Sequence, residues 1–268
     1  MKTSWSAPPT QLLLSRNDVH IWRASLSLSF ASIQELKESL SLDERLKAEH
    51  FLFERDRSHF IAARGILRSM LASYLGVEPS AIRFCYENDG KPKLQSAFGK
   101  RDIKFNLSHS EALAIYVFTQ GHEVGIDVEY MHEIPEMEQI VEQFFSVRER
   151  FFFGTLTASE KQERFFNWWT RKEALMKATG DGLSYPLDTF DVSAVPGKSF
   201  ELLRTVDDAK EASKWTIGDV GPGEGFTGSF AVEGGNCEVQ YWQWPGSSKD
   251  SPGRTISSTH FFQSNRIG

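Results

Sequence analysis

Two short stretches of this sequence carry residues whose types and spacing could do chemistry. In Trp169-Thr170-Arg171-Lys172-Glu173-Ala174-Leu175-Met176-Lys177, steps of four put Trp169, Glu173 and Lys177 on one side of a helix. Phe166 and Met176 share that side, while Trp168 and Leu175 cover the opposite one. A helix apolar on both sides is buried on both sides, so Glu173 and Lys177 lie where charge is costly unless something offsets it. On a solvated face the same pair would be an ordinary i,i+4 contact of about 0.2–0.5 kcal/mol. Among aromatic rings it becomes a carboxylate that binds a metal or takes a proton, beside an ammonium that meets an anion.

The second stretch is Val124-Gly125-Ile126-Asp127-Val128-Glu129-Tyr130. The period of two along a strand puts Asp127 and Glu129 on one side, with Ile126 and Val128 opposite. Two neighbouring carboxylates repel unless a cation lies between them, and oxygen-only ligation suits Mg²⁺ completed by water and substrate phosphate. The alternative is a charged, solvent-facing edge strand.

These side chains need a frame. Residues 55–75 form a long helix with an apolar stripe of Phe60, Ala63, Leu67, Met70, Leu71 and Tyr74, closed by Gly76. Arg57, Arg64 and Arg68 make its basic side, by default a solvated one; Gly65 beside Arg64 would let a ligand or another backbone come close. Ahead of it, Ser32 with Glu35 and Ser41 with Glu44 mark two helix starts. The second helix runs to about Phe53, with Leu42, Leu46 and Phe53 as inward candidates. Residues 139–153 read as an amphipathic helix or helix pair, and the Glu173 helix stops at Gly180. Strands are expected at 19–24, 82–86, 105–110, 112–118, 124–130, 190–192, 215–217, 228–232 and 239–242. Helices before strands in each half predict an α+β fold of two subdomains, 1–122 and 123–244. A loose arm at 1–18 precedes them, and a disordered Ser- and Gly-rich tail at 245–268 follows.

With 268 residues the chain can bury one large core or two modest ones. A net charge of −6 argues against a general nucleic-acid binder but leaves room for a local basic pocket. Cys85 and Cys237 are far apart and in no metal-ligand spacing, as suits core thiols in a reducing cytoplasm. No signal peptide and no apolar run of membrane-spanning length is read, so a cytoplasmic protein is expected. His122-Glu123 and His132-Glu133 lack the second histidine of a metalloprotease helix. A Mg²⁺ nuclease built on strand carboxylates would want a lysine two residues after Glu129, where Met131 stands.

Gly90-Lys91-Pro92, Phe105-Asn106-Leu107-Ser108-His109-Ser110, the Asp127–Glu129 strand and the Trp169–Lys177 helix occur in that order. Together they resemble the Sfp-type 4′-phosphopantetheinyl transferase family over about residues 40–192, most of all its cyanobacterial members. The resemblance implies two pseudo-twofold-related subdomains in one monomeric chain, with coenzyme A between them. It implies Mg²⁺-dependent (or Mn²⁺-dependent) transfer of 4′-phosphopantetheine from coenzyme A to a serine of an apo acyl or peptidyl carrier protein, releasing adenosine 3′,5′-bisphosphate. Such carriers serve fatty-acid, polyketide or nonribosomal peptide synthesis. Asp127, Glu129 and Glu173 match the family's metal-binding acids. Glu173 also matches the proposed base for the serine, and Lys177 the lysine that stabilises the leaving phosphate. Arg64, Lys91, Ser108 and His109 match positions that contact the nucleotide end and its phosphates. The non-enzymatic alternative is a carrier-protein or coenzyme-A-binding module.

Overall fold

Each half of the chain lays a 22-residue helix across a four-stranded sheet, and the elements come in the same order twice. The computed structural model describes residues 3–86, 90–95, 102–180, 186–192, 200–202, 204–205 and 214–246. The first half runs β1 (Asp18–Ser25), α1 (Phe30–Ser39), α2 (Leu42–Glu49), α3 (Glu54–Leu75), β2 (Phe84–Tyr86), β3 (Pro92–Leu94), β4 (Ile103–Ser110) and β5 (Leu113–Gln120). The second runs β6 (Val124–Tyr130), α4 (Met137–Phe144), α5 (Val147–Phe153), α6 (Ala158–Thr179), β7 (Phe190–Asp191), β8 (Phe200–Leu202), β9 (Arg204–Thr205), β10 (Trp215–Val220) and β11 (Phe226–Glu233). β12 (Glu238–Gln243) is the last described strand. The strand orders are β12-β1-β5-β4 and β6-β11-β10-β8, antiparallel except for β12 beside β1. Residues 238–243, grouped by sequence with the second half, thus extend the first sheet. Among the described residues no helix is long and apolar enough to cross a membrane.

Alternation along the strands sorts the core into three layers. Trp22, Ala24, Tyr116 and Phe118 face α3. Val19, Ile21, Ile115 and Val117 face the other way, onto Ile126, Val128, Phe230 and Val232 of the second sheet. On the far side of that sheet, Ile217 and Ala231 pack with Phe165, Trp168, Leu175 and Ala178 of α6. Burying each large apolar side chain of this kind contributes roughly 1.5–3 kcal/mol, so the two sheets hold each other in place through the middle layer.

Several expectations need correction. Helix α1 begins three residues early because Ser29, not Ser32, is its cap, its Oγ accepting the Ser32 amide at 3.2 Å. Leu42, Leu46 and Phe53 are exposed rather than inward, and Glu44 and Ala48 are buried instead. The reason is electrostatic: Glu44 closes a capping box with Ser41 and then meets Arg68 Nε at 2.7 Å. Arg64 and Arg68 are accordingly buried, not solvated. Gly65 admits helix α1, since a Cβ there would overlap the side chain of Leu36. Cys85 is exposed and so is no core thiol, while Cys237 is half-buried and packs against the middle layer. The leading arm is tied down, with Trp5 Nε1 donating to Gly221 O at 2.9 Å and Ser6 bridging to Trp242. The expected tail lies outside the described residues from 247 onward.

Candidate active site

Strand β6 ends its own sheet, and its outer edge meets β4, the end strand of the other sheet. Buried backbone amides need partners, and here side chains supply them. Asn106 Oδ1 accepts the Ile126 amide at 2.9 Å, and Ser110 Oγ accepts the Tyr130 amide at 3.0 Å. The residue between them in the period of two, Ser108, donates to Asp127 Oδ1 at 2.9 Å, while Ser110 Oγ donates to Glu129 Oε2 at 3.1 Å. One face of β4 therefore both seals the edge of β6 and orients its two carboxylates.

Helix α6 closes the site from the other side. A capping box of Thr157 and Glu160 starts it, and Gly180 ends it in the left-handed conformation at φ 77°. Gly125 lets it come close: a Cβ there would overlap the Ala174 carbonyl and the Ala178 amide. That contact lies on the face of β6 that carries Asp127 and Glu129, so the same face meets the turn of α6 bearing Glu173 and Lys177. Thr170 reaches Ser229 at 3.0 Å, and Ser229 stands opposite Asp127 in the β6–β11 register.

Lys177 is the hub of this arrangement. Its Nζ donates to Asp127 Oδ1 at 2.6 Å and to Ser108 Oγ at 3.1 Å. Burial pulls the ammonium down, but Asp127, Glu173 and Glu129 outweigh it and hold it above the usual lysine value. Burial, reinforced by Asp127, pushes the Glu129 carboxyl up to about 8. Asp127 Oδ2 is buried with no hydrogen-bond partner among the described residues. Hard oxygen donors, one of them orphaned and another destabilised by its neighbour's charge, suit a small divalent cation. Glu173 acts on Glu129 and Lys177 at longer range. Among the described residues no three acid, histidine or cysteine side chains meet at metal-holding spacing.

A basic group adjoins the acids. Burial lowers the His109 imidazole to about 4, helped by the charges of Lys177, His59 and Arg64. The Arg64 guanidinium lies 5.9–6.0 Å from the ring centres of Phe60, Phe84 and Tyr86. Burial and then Arg64 lower Lys47 as well. The Arg64 and Lys47 cations, with the neutral His109 imidazole between them and the acids' lysine, line a surface able to take an anion. Of the expected site residues, Asp127, Glu129, Glu173, Lys177, Ser108, His109 and Arg64 gather at this seam. Lys91 goes elsewhere: its Nζ donates to Lys177 O at 2.7 Å and Val124 O at 3.1 Å.

The sequence reading missed the supports. Asn106 and Ser110 were legible only as neighbours of Ser108 at strand period. Arg171, paired to both oxygens of Asp219 at 2.7 and 2.6 Å, and Lys172, paired to Glu149 at 2.9 Å, are the two residues before Glu173. The one available signal was Ser146 followed at the third place by Glu149, a capping box that the structure contains.

Comparison with known proteins agrees with this geometry. Residues 123–231 match the profile of the 4′-phosphopantetheinyl transferase superfamily, and residues 22–120 that of the 4′-phosphopantetheinyl transferase N-terminal region. The 4′-phosphopantetheinyl transferase HetI of Nostoc sp. is 35% identical over 91% of this chain and 100% of its own. A putative 4′-phosphopantetheinyl transferase of Synechocystis sp. is 28% identical over 66% of this chain and 70% of its own. The 4′-phosphopantetheinyl transferase Sfp of Bacillus subtilis is 32% identical over 57% of this chain and 66% of its own. Full-length similarity and a matching pair of halves lead to one conclusion: the chain belongs to the 4′-phosphopantetheinyl transferase superfamily and is a transferase of that group.

Proposed function

We propose that this enzyme takes the 4′-phosphopantetheine arm from coenzyme A and attaches it to a serine of an apo acyl or peptidyl carrier protein. Adenosine 3′,5′-bisphosphate leaves. The observation that carries this reading is the seam itself, where Lys177 sits on Asp127 near Glu129 and Glu173, and beside the neutral imidazole of His109 and the guanidinium of Arg64. A diphosphate ester needs such a join of charges: a cation-holding acid group at its middle and a basic surface at its nucleotide end.

In this reading Asp127, Glu129 and Glu173 hold Mg²⁺, or Mn²⁺ by the same oxygen chemistry, and the buried orphan Oδ2 of Asp127 fits that role. The cation, when bound, neutralises charge on the diphosphate. Ser108 keeps Asp127 oriented, and Ser110 does the same for Glu129. Glu173 accepts the proton of the serine hydroxyl, a poor nucleophile until it loses it. The serine oxygen bonds to the phosphorus nearer the pantetheine, and the bond from that phosphorus to the bridging oxygen breaks. Lys177 faces the departing phosphate, where a fixed ammonium stabilises developing negative charge. Arg64 and His109 take the nucleotide end with its phosphates. The two halves, with β12 joined to the sheet of the first, supply the two walls, so a monomer is complete, and a cytoplasmic setting gives it both substrates.

The test is incubation with coenzyme A, Mg²⁺ and a small panel of apo-carriers, read by intact mass. Gain of one phosphopantetheine on at least one carrier, abolished by a chelator and restored by Mg²⁺ or Mn²⁺, is expected. Calorimetric binding of coenzyme A without any mass gain would favour a binding module and reject the enzyme.

A further inference from the structure

Lys91 stands in the short β2–β3 hairpin of the first half, yet its ammonium reaches the second half: Lys177 O at 2.7 Å, Val124 O at 3.1 Å and, at 3.8 Å, Glu123 Oε2. Lys177 O is among the last carbonyls of α6, which lack a partner within the helix. Met176 O, the next one back, is already taken by the Gly180 amide at 3.1 Å. Val124 O opens β6. The two carbonyls thus belong to the strand that carries Asp127 and Glu129 and to the turn that carries Lys177. A buried cation at a helix C-terminus also complements the helix dipole.

We infer that Lys91 is a positioning residue, a clamp that fixes the end of α6 to the start of β6 and so sets the separation of the acids from Lys177. This rests on the function proposed above, and it departs from the role that family resemblance gave Lys91, a direct contact to nucleotide phosphate. The first half offers an internal control. The last turn of α3 bears no such clamp among the described contacts; its Ser73, Tyr74 and Gly76 border a groove of about 460 Å³.

The experiment compares wild type with Lys91→Met and Lys91→Arg by hydrogen exchange and by transfer from coenzyme A and from its analogue lacking the 3′-phosphate. With Lys91→Met, amides of the last turn of α6 and the first residues of β6 should exchange about tenfold faster, the loss of a charged hydrogen bond. The last turn of α3 should not change. kcat should fall about tenfold or more, as expected for misplaced groups, with KM for coenzyme A within about twofold and the preference for the 3′-phosphate intact. Lys91→Arg, which can donate to both carbonyls, should restore exchange and most of kcat. Unchanged exchange at α6, or a collapse of the 3′-phosphate preference, overturns the clamp. If Lys91→Met does not fold, Lys91→Gln, which keeps a donor, takes its place with the same criteria. Should wild type transfer nothing from coenzyme A, the proposed function fails, while the exchange comparison still decides the clamp.

Discussion

At the sixteenth position of α3 stands Ser69 and four residues on Ser73; at the same positions of α6 stand Glu173 and Lys177. The serines bond backward into their own helix, Ser69 Oγ to Gly65 O at 3.0 Å and Ser73 Oγ to Ser69 O at 2.9 Å. The strand faces beneath differ in the same way. Under α3, Trp22 Nε1 donates to Tyr74 Oη at 3.0 Å, and His20 Nδ1 shares a 2.9 Å hydrogen bond with the same hydroxyl. Under α6 the corresponding face holds Gly125, Asp127 and Glu129. Yet the scaffolding is shared: the residue before each pair, Arg68 or Lys172, reaches the third helical residue of the preceding short helix, Glu44 or Glu149. Each cation then also holds two carbonyls of the segment after its helix, Pro79 and Ile82 or Leu187 and Phe190. The comparison teaches that one frame was kept twice, while only one copy of the face it presents carries chemistry.

The strongest way to break this comparison is to remove the chemical face. Asp127→Ala and Glu173→Ala should each lower carrier modification by about a thousandfold or more, in line with loss of a principal electrostatic group, with circular dichroism unchanged. Near-normal turnover by either variant would end the assignment. The shared frame predicts the next effect, equal in the two halves. Arg68→Met and Lys172→Met each strand a buried carboxylate and should destabilise the fold by about 3–5 kcal/mol in urea unfolding. A large loss in one half and none in the other would show that the pairs are not counterparts.

Acid and alkali should sharpen the contrast in opposite directions. His20 is 1% exposed, and burial lowers its imidazole to about 4 from 6.5. The unfolded chain therefore gains that proton first, and stability falls by roughly 3 kcal/mol as pH drops from 6.5 to 4. Glu129 is raised to about 8 from 4.5, so the metal-free fold binds its proton first and loses that stability as pH rises from 4.5 through 8. His20→Gln should flatten the acid limb of a metal-free urea series and Glu129→Gln the alkaline limb; a crossed result would refute the two environments. The smallest effect belongs to Ser69→Ala and Ser73→Ala, each within about 0.5 kcal/mol of wild type and with transfer unchanged, since self-bonded hydroxyls serve no partner.

What the sequence made legible follows from whether a signal is local. The spacing of Trp169, Glu173 and Lys177, the alternation around Asp127 and the glycine stops at 76 and 180 are local patterns, and they place the acid-bearing elements correctly. The capping boxes at Ser41 and Ser146 are equally local, but their glutamates have a second, distant duty that composition does not reveal. Apolar Leu42 and Leu46 read as inward from sequence; the buried Glu44–Arg68 pair reverses the face of that helix. The same blindness applies to Lys91, whose partners are backbone carbonyls 33 and 86 residues away, and to β12, whose strand pattern says nothing of which sheet it joins.

The central claim is that Asp127, Glu129 and Glu173 share a divalent cation while Lys177 faces the departing phosphate. Electron paramagnetic resonance of Mn²⁺ titrated into the protein with coenzyme A present tests it most directly. The account predicts one tightly held Mn²⁺ per chain, lost in Asp127→Asn and weakened in Glu173→Gln. Mn²⁺ bound with undiminished affinity when Asp127 and Glu129 are both replaced by their amides would contradict it.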